Sequence, residues 1–355
     1  MELWTDPGIA VERAESDCHL VAPGPLRAEQ AGAADGAERL HAPVAGPERA
    51  NQLRTRKQAE PVARDASLRS AEGARVLPTP RAMAVVGPAE RRRHLEPDAA
   101  AEARAVQRVL RARLGAHAPS IAAGMRYQVV DCRWELGKPC RGRELYLRGH
   151  IPGASFLDVE QDLSAPPGPR GRHPLPDPEL FAAAAGRAGV GDGVFVVAYG
   201  SMGGAERLWW LLRHFGHDDC AVLELDGWLG PLRAGEEEIE PARLTLRPRT
   251  GDAIEADELL ERLDELVLVD ARVPERYRGE VEPIDPLAGH IPGAVNAPWN
   301  EPLPELPADD IVAYCGSGVT ACVTVHRLAL AGRDARLYPG SWSEWSGRGL
   351  PAARG

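Results

Sequence analysis

The chain has 355 residues and a formal net charge of −10. No stretch of arginine and lysine is interleaved with aromatic residues, so a basic surface that neutralises nucleic-acid phosphates is not expected. No apolar run reaches the roughly 18 residues of a membrane span, and the N-terminal segment lacks the apolar core of a signal peptide. The six cysteines form no Cys-x-x-Cys pair and have no histidines at ligating spacing, which argues against a metal site. We therefore expect a cytoplasmic protein that binds neither nucleic acid nor membrane.

The N-terminal third differs in composition from the rest of the chain. Residues 1–124 consist mainly of Ala, Arg, Glu, Pro and Gly, which predicts a mostly disordered tail. Within it, the segment from Pro97 to Leu114 has Val106 and Leu110 at helical spacing and is expected to form a short, solvated and weakly packed helix. Alternatively, translation begins further downstream and the tail is not part of the protein.

From Tyr127 onward, short β-branched runs alternate with segments of helical spacing, a pattern typical of an α/β fold with a parallel sheet flanked by helices. Four elements in this part occur twice in the same order. They are the strand-like runs at 129–133 and 268–272, the His-Ile-Pro-Gly-Ala motifs at 150–154 and 290–294, the apolar runs ending in tyrosine at 196–199 and 311–314, and the Gly-Trp elements near 227–228 and 340–342. The ordered series indicates gene duplication. We predict two similar domains, 125–235 and 253–355, joined by a charged linker.

Cys315 follows the apolar run at 311–314 and precedes a segment of helical character that begins near Thr320. It therefore sits at a strand-to-helix turn. Gly316 and Gly318 let the backbone curl so that successive N–H groups point at the sulfur, and the following helix adds the positive end of its dipole. These features favour a thiolate, and Cys315 is the predicted nucleophile.

Three sets of residues together resemble one known family. They are the two His-Ile-Pro-Gly-Ala motifs, the loop Cys-Gly-Ser-Gly-Val-Thr at 315–320, and the segment Ser-Trp-Ser-Glu-Trp at 341–345. The resemblance is to the tandem-domain rhodanese family, and it covers about residues 127 to 355. Its loop is similar to that of the 3-mercaptopyruvate sulfurtransferases, whereas thiosulfate sulfurtransferases usually carry basic residues directly after the cysteine.

The resemblance implies a substrate site on the second repeat. The residues implied to bind substrate are Arg276, Gly316, Gly318, Val319 and Thr320. Arg276 would grip the substrate carboxylate. Many mercaptopyruvate enzymes have a second arginine nine residues later, but Asp285 occupies that position here. Arg278 is a candidate to compensate.

The resemblance also implies a proton-transfer group that spans both repeats. Ser317 matches the family's serine two residues after the cysteine. The histidine from the first domain would be His173, and the acid would be Glu160, where relatives have aspartate. The duplicated His150 and His290 are expected to have structural roles.

The implied activity is a ping-pong sulfur transfer in which Cys315 takes sulfur from 3-mercaptopyruvate, forms a persulfide, and passes the sulfur to cyanide or to a thiol such as that of a thioredoxin-like protein. No metal or organic cofactor is implied. Three alternatives stay open. They are thiosulfate as the donor, a non-catalytic persulfide-binding module, and a cysteine phosphatase, although the last needs an arginine closing the loop and this chain has Ala321 and Cys322 there.

The first repeat is predicted to be catalytically inactive, because Gly200 occupies the position of Cys315 when the two repeats are aligned. It would instead wall one side of the cleft, with Trp209 and Trp210 in its core. The other cysteines of this part of the chain are expected to be small buried residues; they are Cys132, Cys140, Cys220 and Cys322.

Overall fold

Two four-stranded parallel sheets organise the part of the chain that the structure describes. The computed structural model describes residues 99–114, 126–225, 228, 230–307 and 310–355. All of them fall within one structural unit, Arg93–Gly355. Apart from the helix at 99–114, the predicted disordered tail lies outside the described residues.

Helix α1 spans Ala99–Leu114, as the periodicity predicts. Val106 and Leu110 are one turn apart on the same face, and they are 1% and 0% exposed. They belong to an apolar cluster that includes Phe195 and Val197. The expectation of a weakly packed helix is therefore wrong, because α1 covers one face of the first repeat's sheet.

The first repeat follows the predicted alternation of strands and helices. Its elements are β1 Tyr127–Cys132, α2 Arg141–Arg148, β2 Ser155–Phe156, α3 Pro178–Arg187, β3 Phe195–Gly200, α4 Gly204–His214 and β4 Cys220–Val222. The strand order is β2-β1-β3-β4, and all three pairings are parallel. Helix α3 begins with two common start signals: the Asp177 side chain caps its first amides, and Pro178 follows.

The second repeat has the same architecture. Its elements are α5 Ala256–Glu261, a 3-10 turn at Leu263–Glu265, β5 Val267–Asp270, α6 Pro274–Tyr277, β6 Val295–Asn296, β7 Ile311–Tyr314, α7 Ala321–Leu330, β8 Arg336–Leu337 and α8 Ser341–Gly347. The strand order β6-β5-β7-β8 reproduces that of the first sheet, and the pairings are again parallel. The predicted fold class, with two α/β repeats, is confirmed.

The duplication extends to individual contacts. His150 Nδ1 lies 2.8 Å from the carbonyl oxygen of Tyr146, and the two rings stack with centroids 4.1 Å apart. His290 makes the same contacts with Tyr277, at 2.8 Å and 3.8 Å. Each histidine thus fixes the turn of its own repeat, which agrees with the structural role expected for both.

One apolar core runs across both repeats. Leu208 and Trp209 of α4 share a cluster with Val319, Cys322 and Val325 of the second repeat. Helices α4 and α7 therefore pack against each other, and the carboxyl end of β7 lies close to the first repeat. No described helix combines the length and apolar character needed to cross a membrane.

The predicted linker contains no helix and runs along the first repeat. The amide of Ala242 donates to the carbonyl of Gly186 at 2.9 Å. Leu244 is 6% exposed and belongs to the shared core. The segment is therefore a packed connection.

Candidate active site

Cys315 lies directly after β7, at the turn into α7, as predicted. Its side chain is buried, and the amide of Gly318 donates a hydrogen bond to Sγ at 3.2 Å. Gly318 has φ +80°, and a Cβ there would lie 2.3 Å from the carbonyl oxygen of Pro339, so only glycine fits. Among the described residues this amide is the single donor to the sulfur, whereas several successive amides were expected. The sulfur thus accepts a backbone hydrogen bond and lies near the start of α7.

The backbone of Cys315 is held by the segment that begins α8. Its amide donates to Ser341 Oγ at 3.1 Å, and that hydroxyl donates to the carbonyl of Tyr338 at 2.9 Å. The amide of Trp342 donates to the carbonyl of Cys315 at 3.0 Å. Ser341 adopts φ 52°, which is uncommon for a residue other than glycine. This supporting role was not predicted, because no local pattern reports an unusual φ at a serine.

His173 and Ser317 come together across the boundary between the repeats. His173 Nδ1 lies 2.7 Å from Ser317 Oγ, which is hydrogen-bonding distance. Burial, together with the positive charges of Arg207 and Arg172, lowers the pKa of His173 to about 3. The imidazole is therefore neutral at physiological pH.

Glu160 lies beside His173 without a hydrogen bond to it. Glu160 Oε1 is 3.9 Å from His173 Nε2, and a third of the glutamate side chain is exposed. Burial, together with the nearby charge of Asp158, raises the pKa of Glu160. Of the three residues expected to transfer protons, Ser317 and His173 are thus within hydrogen-bonding distance of each other. Glu160 lies just beyond hydrogen-bonding distance of His173.

Arg207 on α4 is wholly buried and was not predicted as a site residue. Its guanidinium donates to the carbonyls of Gly318 at 3.1 Å and His173 at 3.0 Å. Burial lowers its pKa, and the neighbouring thiols of Cys322 and Cys315 act in the opposite direction. No carboxylate in the described ranges forms an ion pair with it. A buried cation without a carboxylate partner therefore lies next to the cysteine loop.

Arg276 lies at the rim of the cysteine loop, beside Gly316. Its Nη2 is 2.7 Å from Glu282 Oε1 and 2.9 Å from Asp285 Oδ2. Its Nη1 is 3.2 Å from the position that a Cβ on Gly316 would take. Both carboxylate side chains are almost fully buried, so they hold the guanidinium in one orientation over Gly316.

Arg172 reaches the same place from the first repeat. Its Nη1 forms an ion pair with Asp285 Oδ1, and its Nη2 is 3.0 Å from the Cβ position of Gly316. Arg278, the residue considered as compensation for Asp285, instead pairs with the exposed Glu280 at 2.7 Å. Arg172, and not Arg278, therefore lies beside Gly316 together with Arg276.

The remaining residues of the loop differ in their surroundings. Val319 is 1% exposed and its side chain belongs to the shared core, so that side chain does not face the rim. Thr320 is half-buried and precedes α7. A Cβ on Gly203 of the first repeat would lie 2.9 Å from the Cα of Thr320, so the two repeats approach closely here.

The first repeat has no room for a nucleophile at the matching position. A Cβ on Gly200 would lie 2.8 Å from the carbonyl oxygen of Cys132 and 2.9 Å from the amide nitrogen of Ala205. Trp209 and Trp210 are 6% and 3% exposed, which confirms their assignment to the core.

The other cysteines follow the expectation only in part. Cys132 and Cys322 are buried as predicted, whereas Cys140 and Cys220 are half-buried, so the expectation is wrong for those two. Burial raises the pKa of the Cys322 thiol to about 12. At neutral pH this thiol stays protonated.

Comparisons with known proteins agree with the duplicated architecture. The model of the rhodanese-like domain matches residues 118–228 and 255–348. The chain is 44% identical over 251 residues to a probable 3-mercaptopyruvate sulfurtransferase of Pseudomonas aeruginosa, covering 61% of this chain and 88% of that protein. It is 36% identical over 265 residues to human 3-mercaptopyruvate sulfurtransferase, covering 64% and 88%.

Two further similarities bear on donor and fold. A putative thiosulfate sulfurtransferase, SseB, of Mycobacterium tuberculosis is 39% identical over 260 residues, covering 64% of this chain and 90% of that protein. The crystal structure of the 3-mercaptopyruvate sulfotransferase SseA from Escherichia coli superposes with a TM-score of 0.56 at 30% identity, covering 67% of this chain and 98% of SseA.

Proposed function

The chain belongs to the rhodanese-like family, and we propose that it is a sulfurtransferase that moves sulfur from 3-mercaptopyruvate through a persulfide on Cys315 to a thiol acceptor. In this proposal the domain at 253–355 is catalytic and the domain at 125–235 is inactive but completes the site. The observation that carries the proposal is the environment of Cys315: a buried sulfur that accepts the Gly318 N–H beside the buried Arg207 cation.

The first half-reaction begins with the thiolate of Cys315. It attacks the sulfur of 3-mercaptopyruvate, an S–S bond forms, and the C–S bond breaks with its electron pair going to carbon. The leaving group is the enolate of pyruvate. When the former substrate thiol proton moves to that carbon, the products are pyruvate and the persulfide anion of Cys315, and the step is balanced.

Ser317 and His173 are suited to moving that proton. The neutral imidazole can accept a hydrogen bond at Nδ1 from the Ser317 hydroxyl, 2.7 Å away. Because the pKa of His173 is lowered to about 3, the imidazole orients the Ser317 hydroxyl as a hydrogen-bond acceptor rather than holding a full proton, and the hydroxyl is the group that relays the proton. Glu160 would orient His173 only after a small approach, because the present separation of 3.9 Å exceeds hydrogen-bond length.

In the second half-reaction an acceptor thiol attacks the outer sulfur of the persulfide. The S–S bond to Cys315 breaks, the Cys315 thiolate is regenerated, and the acceptor leaves as a persulfide. A thioredoxin-like dithiol is the proposed acceptor and the cytoplasm the proposed location. The absence of nucleic-acid and membrane partners and of a metal or organic cofactor stays a prediction.

The charge near the loop favours 3-mercaptopyruvate over thiosulfate. The two arginines at the rim, Arg276 and Arg172, are balanced by the two carboxylates of Glu282 and Asp285, so the rim offers less positive charge than a dianion requires. The loop after Cys315 contains no basic residue of its own. A monoanionic keto acid suits this rim better than dianionic thiosulfate.

The test is steady-state sulfur transfer by the full chain with 3-mercaptopyruvate and, separately, with thiosulfate. We expect a higher kcat/KM for 3-mercaptopyruvate, reduced by about ten- to a hundredfold in Arg276→Ala and unchanged in the surface control Arg278→Ala. A preference for thiosulfate would overturn the choice of donor but keep the class of reaction. If neither donor is turned over, the proposed sulfurtransferase activity is wrong and a persulfide-binding module is favoured.

A further inference from the structure

We propose that Arg172, supplied by the first repeat, is the second substrate-binding cation, so that the donor's carboxylate binds between Arg172 and Arg276. This inference rests on the proposed function and extends it. Many mercaptopyruvate enzymes have a second arginine nine positions after the first, but that position is Asp285 here, which cannot bind a carboxylate. Arg172 takes the role of that second arginine.

The two guanidinium groups converge on one point of the cysteine loop. Arg172 Nη2 and Arg276 Nη1 lie 3.0 Å and 3.2 Å from the Cβ position of Gly316. Because both distances start from the same point, the two nitrogens are at most about 6 Å apart. One carboxylate can bridge such a pair, with one oxygen on each nitrogen at about 2.8 Å. A side chain at 316 would occupy the space between the two cations, so glycine keeps that space open.

Asp285 holds Arg172 and Arg276 in place from the buried side of the site. One of its oxygens binds Arg172 and the other binds Arg276, at 2.9 Å in the latter case. The Asp285 side chain is only 4% exposed, whereas those of Arg172 and Arg276 are 22% and 15% exposed. The carboxylate therefore lies beneath the two arginines, neutralises part of their charge, and leaves a terminal nitrogen of each directed toward Gly316.

The backbone around Arg172 is held against the catalytic repeat. The amide of Arg172 donates to Ser343 Oγ at 3.1 Å. At the preceding residue, Gly171, φ is +102° and a Cβ would lie 2.7 Å from the carbonyl oxygen of Gly340. The next residue, His173, contacts Ser317. Arg172 is thus positioned before any donor binds, which lowers the entropic cost of forming the clamp.

Arg172 also retains unused donor capacity. Its Nη1 is engaged by Asp285, whereas Nε has no hydrogen-bond partner in the described part of the chain. By contrast, Nε and Nη2 of Arg276 are both engaged by carboxylates. A bound carboxylate would accept a hydrogen bond from Arg172 Nη2. It would also balance the part of the Arg172 charge that Asp285, which is shared with Arg276, leaves unbalanced.

The experiment compares Arg172→Gln with Arg170→Gln, a control at an exposed arginine of the same loop. The full chain is assayed with 3-mercaptopyruvate, and the alkylation rate of Cys315 by uncharged iodoacetamide is measured in parallel. We expect Arg172→Gln to raise KM for 3-mercaptopyruvate by about ten- to a hundredfold, the loss of one charge-assisted hydrogen-bonding partner. The change in kcat and in the alkylation rate should stay within about threefold. Arg172→Lys, which keeps the charge, should recover most of the loss.

Two results would overturn the inference. One is a KM in Arg172→Gln within about twofold of wild type, which would leave Arg276 as the single cation for the carboxylate. The other is an alkylation rate that falls by the same factor by which KM rises. That result would show that Arg172 holds the cysteine loop in place rather than binding the donor. Because the wild-type protein is assayed first, a failure of the proposed function appears separately, as absence of turnover before any substitution.

Discussion

His173 Nδ1 lies 2.7 Å from Ser317 Oγ, although the two residues are 144 positions apart and belong to different repeats. The first repeat, which has Gly200 at the position that matches Cys315, thus supplies a group that contacts the cysteine loop of the second. Arg172 and Arg207 come from the first repeat as well. The first repeat is therefore part of the candidate site rather than a spacer.

The pH dependence of catalysis should not report His173. Since its pKa is lowered to about 3, the imidazole stays neutral between pH 5.5 and 8. We expect the profile of kcat/KM over that range to show no inflection near the ordinary histidine pKa of about 6.5. An inflection there that disappears in His173→Asn would contradict a neutral imidazole.

The same pKa makes a prediction for stability. Between pH 3 and about 6.5 the unfolded chain binds a proton at His173 that the folded chain does not, so the stability linked to this residue is complete above pH 6.5 and is lost as the pH falls. At pH 5 wild type should have lost up to about 2 kcal/mol relative to His173→Asn. Urea unfolding of both proteins at pH 7.5 and pH 5 measures this difference. The carboxyl groups are common to both proteins, so parallel behaviour would rule out the lowered pKa.

The two cysteines of the loop region should differ in importance. Cys315→Ser is expected to reduce sulfur transfer by about a thousandfold or more, because it removes the nucleophile. Cys322→Ser should stay within about threefold of wild type, since the buried Cys322 thiol donates to the carbonyl of Gly318 and a hydroxyl can do the same. Initial rates of sulfur transfer from 3-mercaptopyruvate compare the two variants. An equal loss of rate in Cys315→Ser and Cys322→Ser would contradict a single nucleophile.

Arg207 is expected to support both the fold and the reactivity of the cysteine. Arg207→Met leaves the carbonyls of Gly318 and His173 without their donor and removes the buried cation. We expect a loss of about 3 kcal/mol in the free energy of unfolding. Iodoacetamide alkylation at pH 7 should slow by about tenfold. Arg207→Lys keeps the charge and serves as the control: it should lose stability but retain most of the alkylation rate. Equal alkylation rates in the Met and Lys variants would show that charge has no part in the effect.

Ser341 should be sensitive to its unusual backbone angle as well as to its hydroxyl. Ser341→Ala removes the hydrogen bonds to Cys315 and Tyr338 but keeps the φ of 52°, whereas Ser341→Gly removes the same bonds and relieves the angle. Both variants should be less stable than wild type. The glycine variant should be the more stable of the two by about 1 kcal/mol. Thermal unfolding of the three proteins tests this order, and a less stable glycine variant would show that the angle is not strained.

Local patterns were sufficient to predict some features. The strand, the glycine loop and the helix around Cys315 are adjacent in sequence, so their arrangement follows from short-range preferences, and the repeated motifs indicate the duplicated fold. The neighbourhood of Ser317 and His173 required the family resemblance, because nothing local joins positions so far apart.

Other features could not be read from local patterns. The ion pair of Arg172 with Asp285 spans 113 positions, and the hydrogen bond of Arg207 to Gly318 spans 111. Both depend on how the repeats pack. Similarly, the periodicity of α1 predicted a helix, but the sheet face that buries Leu110 is visible only in three dimensions.

The most direct test of the account is the mass of the full chain after incubation with 3-mercaptopyruvate and no acceptor, followed by peptide mapping. We predict one added sulfur atom on Cys315, which a thiol such as dithiothreitol removes, and no such addition in Cys315→Ser. An added sulfur on Cys322 or another cysteine, or turnover by a protein that never carries the extra sulfur, would contradict a persulfide on Cys315.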